Sequence, residues 1–366
     1  MKIVVAIDSF KGSLTSLEAG KAAEIGIKNA APNAEIKIYP LADGGEGTCK
    51  TLTEGLGGKM KTVKITGALG KRITAEFGEI NDLAIIEMAA AAGLAQVPQN
   101  LRNPLRTTTF GVGEMILSAV ADGCRNFIIG IGGSATNDCG LGMLTALGFN
   151  FGSGIFGRNL SHVKKIESDK VPPEIFDCKF KIACDVKNPL TGENGCSAVY
   201  APQKGADEKI VAQMDGWIKN FAELTLQTFN IEKKSVEGDG AAGGLGFAFR
   251  TFLKGELVPG VELVLDALKI SENLRDADIL ITGEGNIDSQ TSQGKAPAGV
   301  AKLAKNLNKK IKVVAIGGGV KNFASSEIDA AFSILREPMT LEAAIKKSTA
   351  QKNISATVEN IIRLIL

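Results

Sequence analysis

Asn126–Leu144 reads NFIIGIGGSATNDCGLGML, and it sets the fold class of the whole chain. Phe127, Ile128, Ile129 and Ile131 form a short apolar run rich in β-branched residues, the composition of a buried strand. Gly130, Gly132 and Gly133 then allow a backbone path that side chains would obstruct. Ser134, Thr136, Asn137 and Asp138 supply caps and an acid for the start of a helix. A strand that turns through glycine into a helix predicts an α/β chain. It also predicts an anion site, because backbone N–H groups converge there and the helix dipole favours a phosphate or carboxylate. An ordinary close-packed strand-to-helix turn would use the same residues.

Two better-known phosphate loops do not fit. Gly130-Ile131-Gly132-Gly133-Ser134-Ala135 matches the loose dinucleotide pattern G-x-G-x-x-G/A, which needs an acid about 20 positions further on to hold a ribose. No acid stands between Asp138 and Glu167. The Walker loop requires Ser or Thr after Gly-Lys, yet Gly20-Lys21 and Gly294-Lys295 are each followed by Ala.

Composition narrows the remaining classes. At 366 residues the chain is long enough for two domains. Mean hydropathy is +0.10 with 5% aromatics, so the core rests on Ile, Val, Leu and Ala. The 43 glycines fall between periodic segments, as tight βα turns require. With 42 basic against 40 acidic residues and no basic block, nucleic acid is not expected as a partner. No apolar run reaches the roughly 18 residues of a membrane span, and the N-terminal run is too short for a signal peptide. The expected location is the cytoplasm. The six cysteines form no C-x-x-C pair, so reduced structural thiols are expected. His162 is the single histidine and lies in a polar stretch, which leaves Asp, Glu or Lys as the general base.

Outward from the glycine stretch, βα units appear at both ends of the chain. Ile3–Ile7 predicts a strand that ends at Asp8, Ser9, Phe10 and Lys11, a charged pair where open α/β sheets place ligands. Thr15–Glu18 has capping-box spacing and starts a helix that Pro32 ends. Ile36–Tyr39 is a second strand, followed by the acid- and glycine-rich turn Pro40–Thr48. Strands are also expected at Asp278–Thr282, Lys312–Ile316 and Ala330–Leu335. Together these five give a flavodoxin-like doubly wound parallel sheet. Between them, Val63, Ile65, Ile73, Ala75 and Phe77 alternate with polar residues, as half-buried antiparallel strands do. The expected domains are therefore a discontinuous one, 1–58 with 274–366, and an inserted α/β domain with a mixed sheet, 59–273. Phe180–Cys184 predicts a further strand, ending in the cluster Asp185, Lys187 and Asn188. Gly238–Gly246 reads as a second glycine-rich turn.

Taken in order, SFKGSL, PLADGGEGT, GIGGSATND, ACDVKNPLTG, APQKGA, GAAGGLG, GEGNIDSQT and GKAP resemble the class I glycerate kinases of bacteria. They run from Ser9 to Pro297. The resemblance implies ATP-dependent phosphorylation of D-glycerate, with 2-phosphoglycerate as the expected product. It implies a flavodoxin-like domain and a second one likened to a restriction endonuclease. Two positions depart from the family pattern: Asn286 where a basic residue is common, and Cys139 where Gly is commoner.

Phosphoryl transfer needs positioning and charge neutralisation more than covalent chemistry, and Mg²⁺ prefers carboxylates. On that basis Asp185, Asp43 and Lys11 are the catalytic candidates, with Asp185 the first choice for the base and Asp43 the second. Gly132, Gly133, Ser134, Thr136 and Lys295 are candidates for nucleotide phosphate. Arg106, Lys187 and Asn188 are candidates for glycerate, and Asp138, Glu284 and Asp288 for Mg²⁺. Spacing does not separate the acid that holds metal from the one that takes the proton. A sensor of acidic metabolites without catalysis and a nucleotide-binding oxidoreductase are the competing readings. The assembly is left open, a homodimer included.

Overall fold

The structure, a computed structural model, describes residues 1–232, 235–288, 295–321 and 325–366. Ser289–Thr291 of the GEGNIDSQT segment and Gly294 of GKAP lie outside the described residues. The strands are β1 Lys2–Ile7, β2 Glu35–Pro40, β3 Lys59–Thr66, β4 Arg72–Ile80, β5 Leu83–Glu87, β6 Asn126–Gly130, β7 Lys179–Ala183, β8 Glu256–Val258, β9 Ile279–Ile287, β10 Lys312–Val320 and β11 Ala330–Ser333. The chain divides into two compact units: Met1–Asp43, Glu54–Leu56 and Val261–Leu366 form one, and Gly44–Thr53 with Gly57–Gly260 the other.

The first unit holds a five-stranded sheet, β11-β10-β9-β1-β2, parallel at every pairing. Counted within the unit, the order is second, first, third, fourth, fifth, the flavodoxin-type order. Side-chain alternation along β1 explains the double winding. Ile3, Val5 and Ile7 pack on the helix Ser16–Ala30 and the C-terminal helix Lys347–Ile365. Val4 and Ala6 face the opposite layer, with Val300 and Ala304 of the helix Ala296–Leu307. The helix Ser16–Ala30 begins as its sequence requires: Thr15 Oγ1 accepts from Glu18 N at 3.2 Å, and Glu18 Oε2 accepts from Thr15 N at 2.9 Å. Val261, Leu265 and Ile270 also pack beneath this sheet, which draws 261–273 into the first unit rather than the insertion.

The second unit holds a mixed sheet, β3-β4-β5-β6-β7-β8. Its outer strands β3, β4 and β5 run antiparallel, and β5 to β8 run parallel. The rings of Phe127 and Phe180 stack across β6 and β7 with centroids 4.8 Å apart. Gly44–Thr53 joins this unit because Glu87, at the end of β5, caps the first turn of the helix Thr48–Gly55: its Oε1 accepts from Cys49 N at 2.8 Å.

One sequence expectation changes in kind. After β6 the chain runs irregularly from Ile131 to Gly140 before a helix of six residues, Leu141–Ala146. The glycines therefore do not open directly onto a helix N-terminus, and the dipole argument falls away. What replaces it is a long loop fixed from several sides.

Candidate active site

In the first unit β2 lies on one side of β1, and β9, β10 and β11 on the other. Open α/β sheets hold ligands outside the carboxyl ends of the strands at such a switch point. A cavity of about 690 Å³ opens there. Asp8 and Lys11 enter it from the end of β1, Asp43 from the turn after β2, and Glu284 and Asp288 from β9 and its end. Lys295, the residue before the helix Ala296–Leu307, also lines it and pairs with Glu284 at 3.6 Å. The structure thus brings together Lys11, Asp43, Glu284, Asp288 and Lys295, all expected from the sequence. Asp8 is the acid most altered by this setting. Burial pushes its carboxyl up to about 6; the charges of Asp43 and Glu284 act the same way, while the Ser9 N–H and Lys11 oppose it. Asn286 Nδ2 donates to Asp288 Oδ2 at 2.7 Å and so orients that acid.

In the second unit the glycine loop leaves its outer backbone clear. Gly132 and Gly133 are exposed, and a Cβ at Gly132 would meet nothing within 4 Å. Gly133 has φ +71°, a conformation other residues adopt only with strain. Beneath this lip the loop is fastened. Leu94 N donates to Gly133 O and Ala135 N to Ala92 O, each at 2.8 Å, and Thr107 Oγ1 donates to Ala135 O at 3.1 Å. GAAGGLG supports the loop from another side: Ala242, Gly243 and Gly244 all have positive φ, and a Cβ at Gly243 would lie 2.3 Å from Thr136 O. That glycine-rich turn supports the loop backbone to backbone, with Cys139 N donating to Gly243 O at 2.9 Å. Cys139, φ +49°, sits in the same left-handed region, a conformation glycine adopts without strain.

Asp138 is fully buried. Its Oδ2 accepts from Thr109 N and Thr109 Oγ1 at 2.8 Å each and from Gly142 N at 3.2 Å, and its Oδ1 from Gly140 N at 3.3 Å. Burial pushes this carboxyl upward against the pull of those donors. A carboxylate so engaged clips the loop to the helix Phe110–Ala121 and has little left for a metal. Ser134 and Thr136 are buried too; Ser134 Oγ accepts from Lys204 Nζ at 2.8 Å. Among the described residues no group of three His, Cys, Asp or Glu side chains gathers closely enough to cage a metal ion.

The remaining expected residues are dispersed within the second unit. Arg106 is exposed, one residue before Thr107 and its bond to the loop. Asp185 is exposed beyond the end of β7, with Oδ1 accepting from Gly260 N at 2.8 Å. Lys187 faces Glu237 at 3.4 Å on the surface. Asn188 is built into its turn, donating to Asn194 O and accepting from Tyr200 Oη.

This arrangement matches one family over nearly its whole length: residues 3–366 fit the model of the glycerate kinase family. The chain belongs to that family. Glycerate kinase of Halalkalibacterium halodurans is 44% identical, with 94% of this chain and 93% of the relative covered. Glycerate 2-kinase of Escherichia coli K12 is 42% identical over 98% of both chains. The crystal structure of a candidate glycerate kinase 2 from Salmonella typhimurium LT2 superposes with a TM-score of 0.91 at 42% identity, over 100% of this chain and 98% of that one. Membership in the glycerate kinase family makes the chain an enzyme of the transferase class, a kinase with ATP as co-substrate. Among the described residues no helix is long and apolar enough to cross a membrane.

Two residues that matter to the glycerate kinase geometry carry weak sequence signals. Asp8 stands in a plain strand-end pair, and only the strand order shows that its strand borders the switch point. Lys204 belongs to the APQKGA segment, and nothing in that segment announces a buried ammonium.

Proposed function

We propose that this enzyme transfers the γ-phosphoryl group of ATP to the 2-hydroxyl of D-glycerate, in the cytoplasm. The whole-length family match carries this reading, and the switch-point cavity supports it with the groups phosphoryl transfer uses. Lys11 and Lys295 neutralise phosphate charge. Glu284 and Asp288 suit Mg²⁺, which takes one or two carboxylates and completes its shell with water and phosphate oxygens. When bound, the ion neutralises charge on the phosphates. Gly132 and Gly133 offer backbone N–H groups to the nucleotide phosphates, and Arg106 and Lys187 are the cations assigned to the glycerate carboxylate.

The hydroxyl of glycerate loses a proton as the phosphoryl group arrives. We assign that proton to Asp8, with Asp43 beside it, ahead of Asp185. Asp8 is half-buried in the lining of the cavity, and a carboxyl raised to about 6 lies near neutral pH, where a general base is most effective. Asp185 is exposed and already accepts from Gly260 N. Asp185→Asn is therefore expected to lower kcat by less than about 10-fold, against roughly 10²-fold or more for loss of a true base. The opposite ranking of the Asp185 and Asp8 variants would return the proton to Asp185.

A coupled assay with ATP, Mg²⁺ and D-glycerate, with phosphorus NMR of the product, tests the reaction and the acceptor hydroxyl together. Absence of turnover, or phosphate on the 3-hydroxyl, would overturn the corresponding part. Gly133→Val is expected to raise the apparent KM for ATP while leaving that for D-glycerate near its starting value. Valine would obstruct the open lip and disfavour φ +71°. A nucleotide-bound structure with its phosphates remote from Gly132 and Gly133 would end the loop's assignment.

A further inference from the structure

Lys204 follows Pro202 in a short 3₁₀ turn and is 2% exposed. Its Nζ donates to Ser134 Oγ at 2.8 Å and to Thr136 O at 2.6 Å, the two residues directly inside the open lip Gly132-Gly133. Both bonds go to neutral oxygens, and Lys204 makes no ion pair among the described residues. A buried ammonium is ordinarily accompanied by a carboxylate, because desolvating an unpaired charge is expensive. Two acidic groups act on it among the described residues: the Cys196 thiol, which burial pushes up to about 11 and so keeps neutral, and Asp138, whose oxygens are taken by four other donors. In the same loop, Thr136 Oγ1 and Asn137 Oδ1 are buried without a hydrogen-bond partner among the described residues. The loop is thus built around a positive charge that no carboxylate of the described residues bonds, with two buried polar atoms left without a partner among them.

We propose that Lys204 is the positioning residue of the nucleotide loop: it holds Ser134–Thr136 from beneath and places an uncompensated positive charge under the lip where ATP phosphates approach. This rests on the reading that Gly132 and Gly133 face nucleotide phosphate. The lysine acts through the loop and through its field, since its Nζ is covered by Ser134 and Thr136. The cost of burying it supports the same role: burial pushes the ammonium down to about 8, so it remains mainly charged at neutral pH with no carboxylate bonded to it among the described residues. An arriving phosphate supplies the missing counter-charge in a medium where charge interactions are strong.

The test uses Lys204→Met, which keeps length and removes charge, in the full-length enzyme. The expected result is a rise of roughly 10-fold or more in the apparent KM for ATP, with kcat and the KM for D-glycerate changed much less. Inhibition by inorganic tripolyphosphate should weaken by a similar factor, while inhibition by adenosine stays as in the unmodified enzyme. A residue that merely packs the loop would alter both inhibitors together or neither, and either pattern would overturn the proposal. If Lys204→Met does not fold, Ser134→Ala removes one of the two acceptors; an unchanged KM for ATP in that variant would equally overturn it. Gly133→Val separates the two ideas. If that variant binds ATP normally, the loop reading fails and the proposal fails with it. If Gly133→Val loses ATP affinity and Lys204→Met keeps it, the loop reading stands and the role of Lys204 alone is refuted.

Discussion

Replacing Asp8 with Asn is expected to lower kcat by roughly 10²-fold or more and, at pH 7, to make the protein more stable. The two effects share one cause. The carboxyl is raised from 3.8 to about 6, chiefly by burial, so the folded chain holds this proton more tightly than the unfolded chain. Its contribution to stability is fully present below pH 3.8 and is lost as pH rises through about 6. At pH 7 the charged side chain therefore weighs against the fold, by at most about 3 kcal/mol. Asn keeps the shape and an oxygen for Ser9 N, which now donates to Asp8 Oδ1 at 2.6 Å, and removes the charge. Chemical denaturation should show a higher midpoint for the variant at pH 7–8 and a shrinking advantage toward pH 4. In the unmodified enzyme kcat/KM should climb with pH through about 6, as the free base loses its proton. A variant with near-normal kcat, or one less stable than its parent at neutral pH, would remove Asp8 from the chemistry.

How far the sequence discloses this site depends on the range of the interaction involved. The sheet of the first unit is legible because each strand is a local apolar run and each crossover helix has its own punctuation. The Thr15–Glu18 box caps its helix as its spacing requires. The acids of the cavity are legible for the same reason, since strand ends and glycine turns mark them one at a time. Long-range partners are not legible. Asp138 reads as a helix-start acid open to a metal. Only the approach of Thr109, 29 positions earlier, reveals its oxygens as occupied. The glycine stretch reads as strand, turn and helix because the residues after it resemble caps. In the fold, Gly243 packs against Thr136 from more than a hundred positions away and holds the segment as a loop. Asp8 and Lys204 show the same limit from the other direction. Asp8 is marked locally only as half of a strand-end charged pair and Lys204 not at all; a sheet's switch point defines the first, and a deep burial with no carboxylate bonded to it among the described residues defines the second.

The second large effect is expected at Asp138, and it is one of stability. Alanine there would leave Thr109 N, Thr109 Oγ1, Gly140 N and Gly142 N without their shared acceptor in a fully buried place. Each buried donor left unpaired costs about 1–3 kcal/mol, and even with partial relaxation the sum should reach about 3 kcal/mol or more. Thr109 Oγ1 also accepts from Met143 N at 2.9 Å, so the loss extends to the helix Leu141–Ala146. Asp138→Asn is gentler. Its oxygen can serve Thr109 and Gly142, and its amide then opposes only Gly140 N. That variant should fold with a lowered denaturation midpoint and a raised KM for ATP, because the clip that sets the loop is slack. Its requirement for Mg²⁺ should be unchanged, since the ion is assigned to Glu284 and Asp288. Titrating Mg²⁺ at saturating ATP and D-glycerate decides between clip and ligand. If Asp138→Asn folds as firmly as its parent but needs far more Mg²⁺ for half-maximal rate, Asp138 is a metal ligand and the loop must open to expose it.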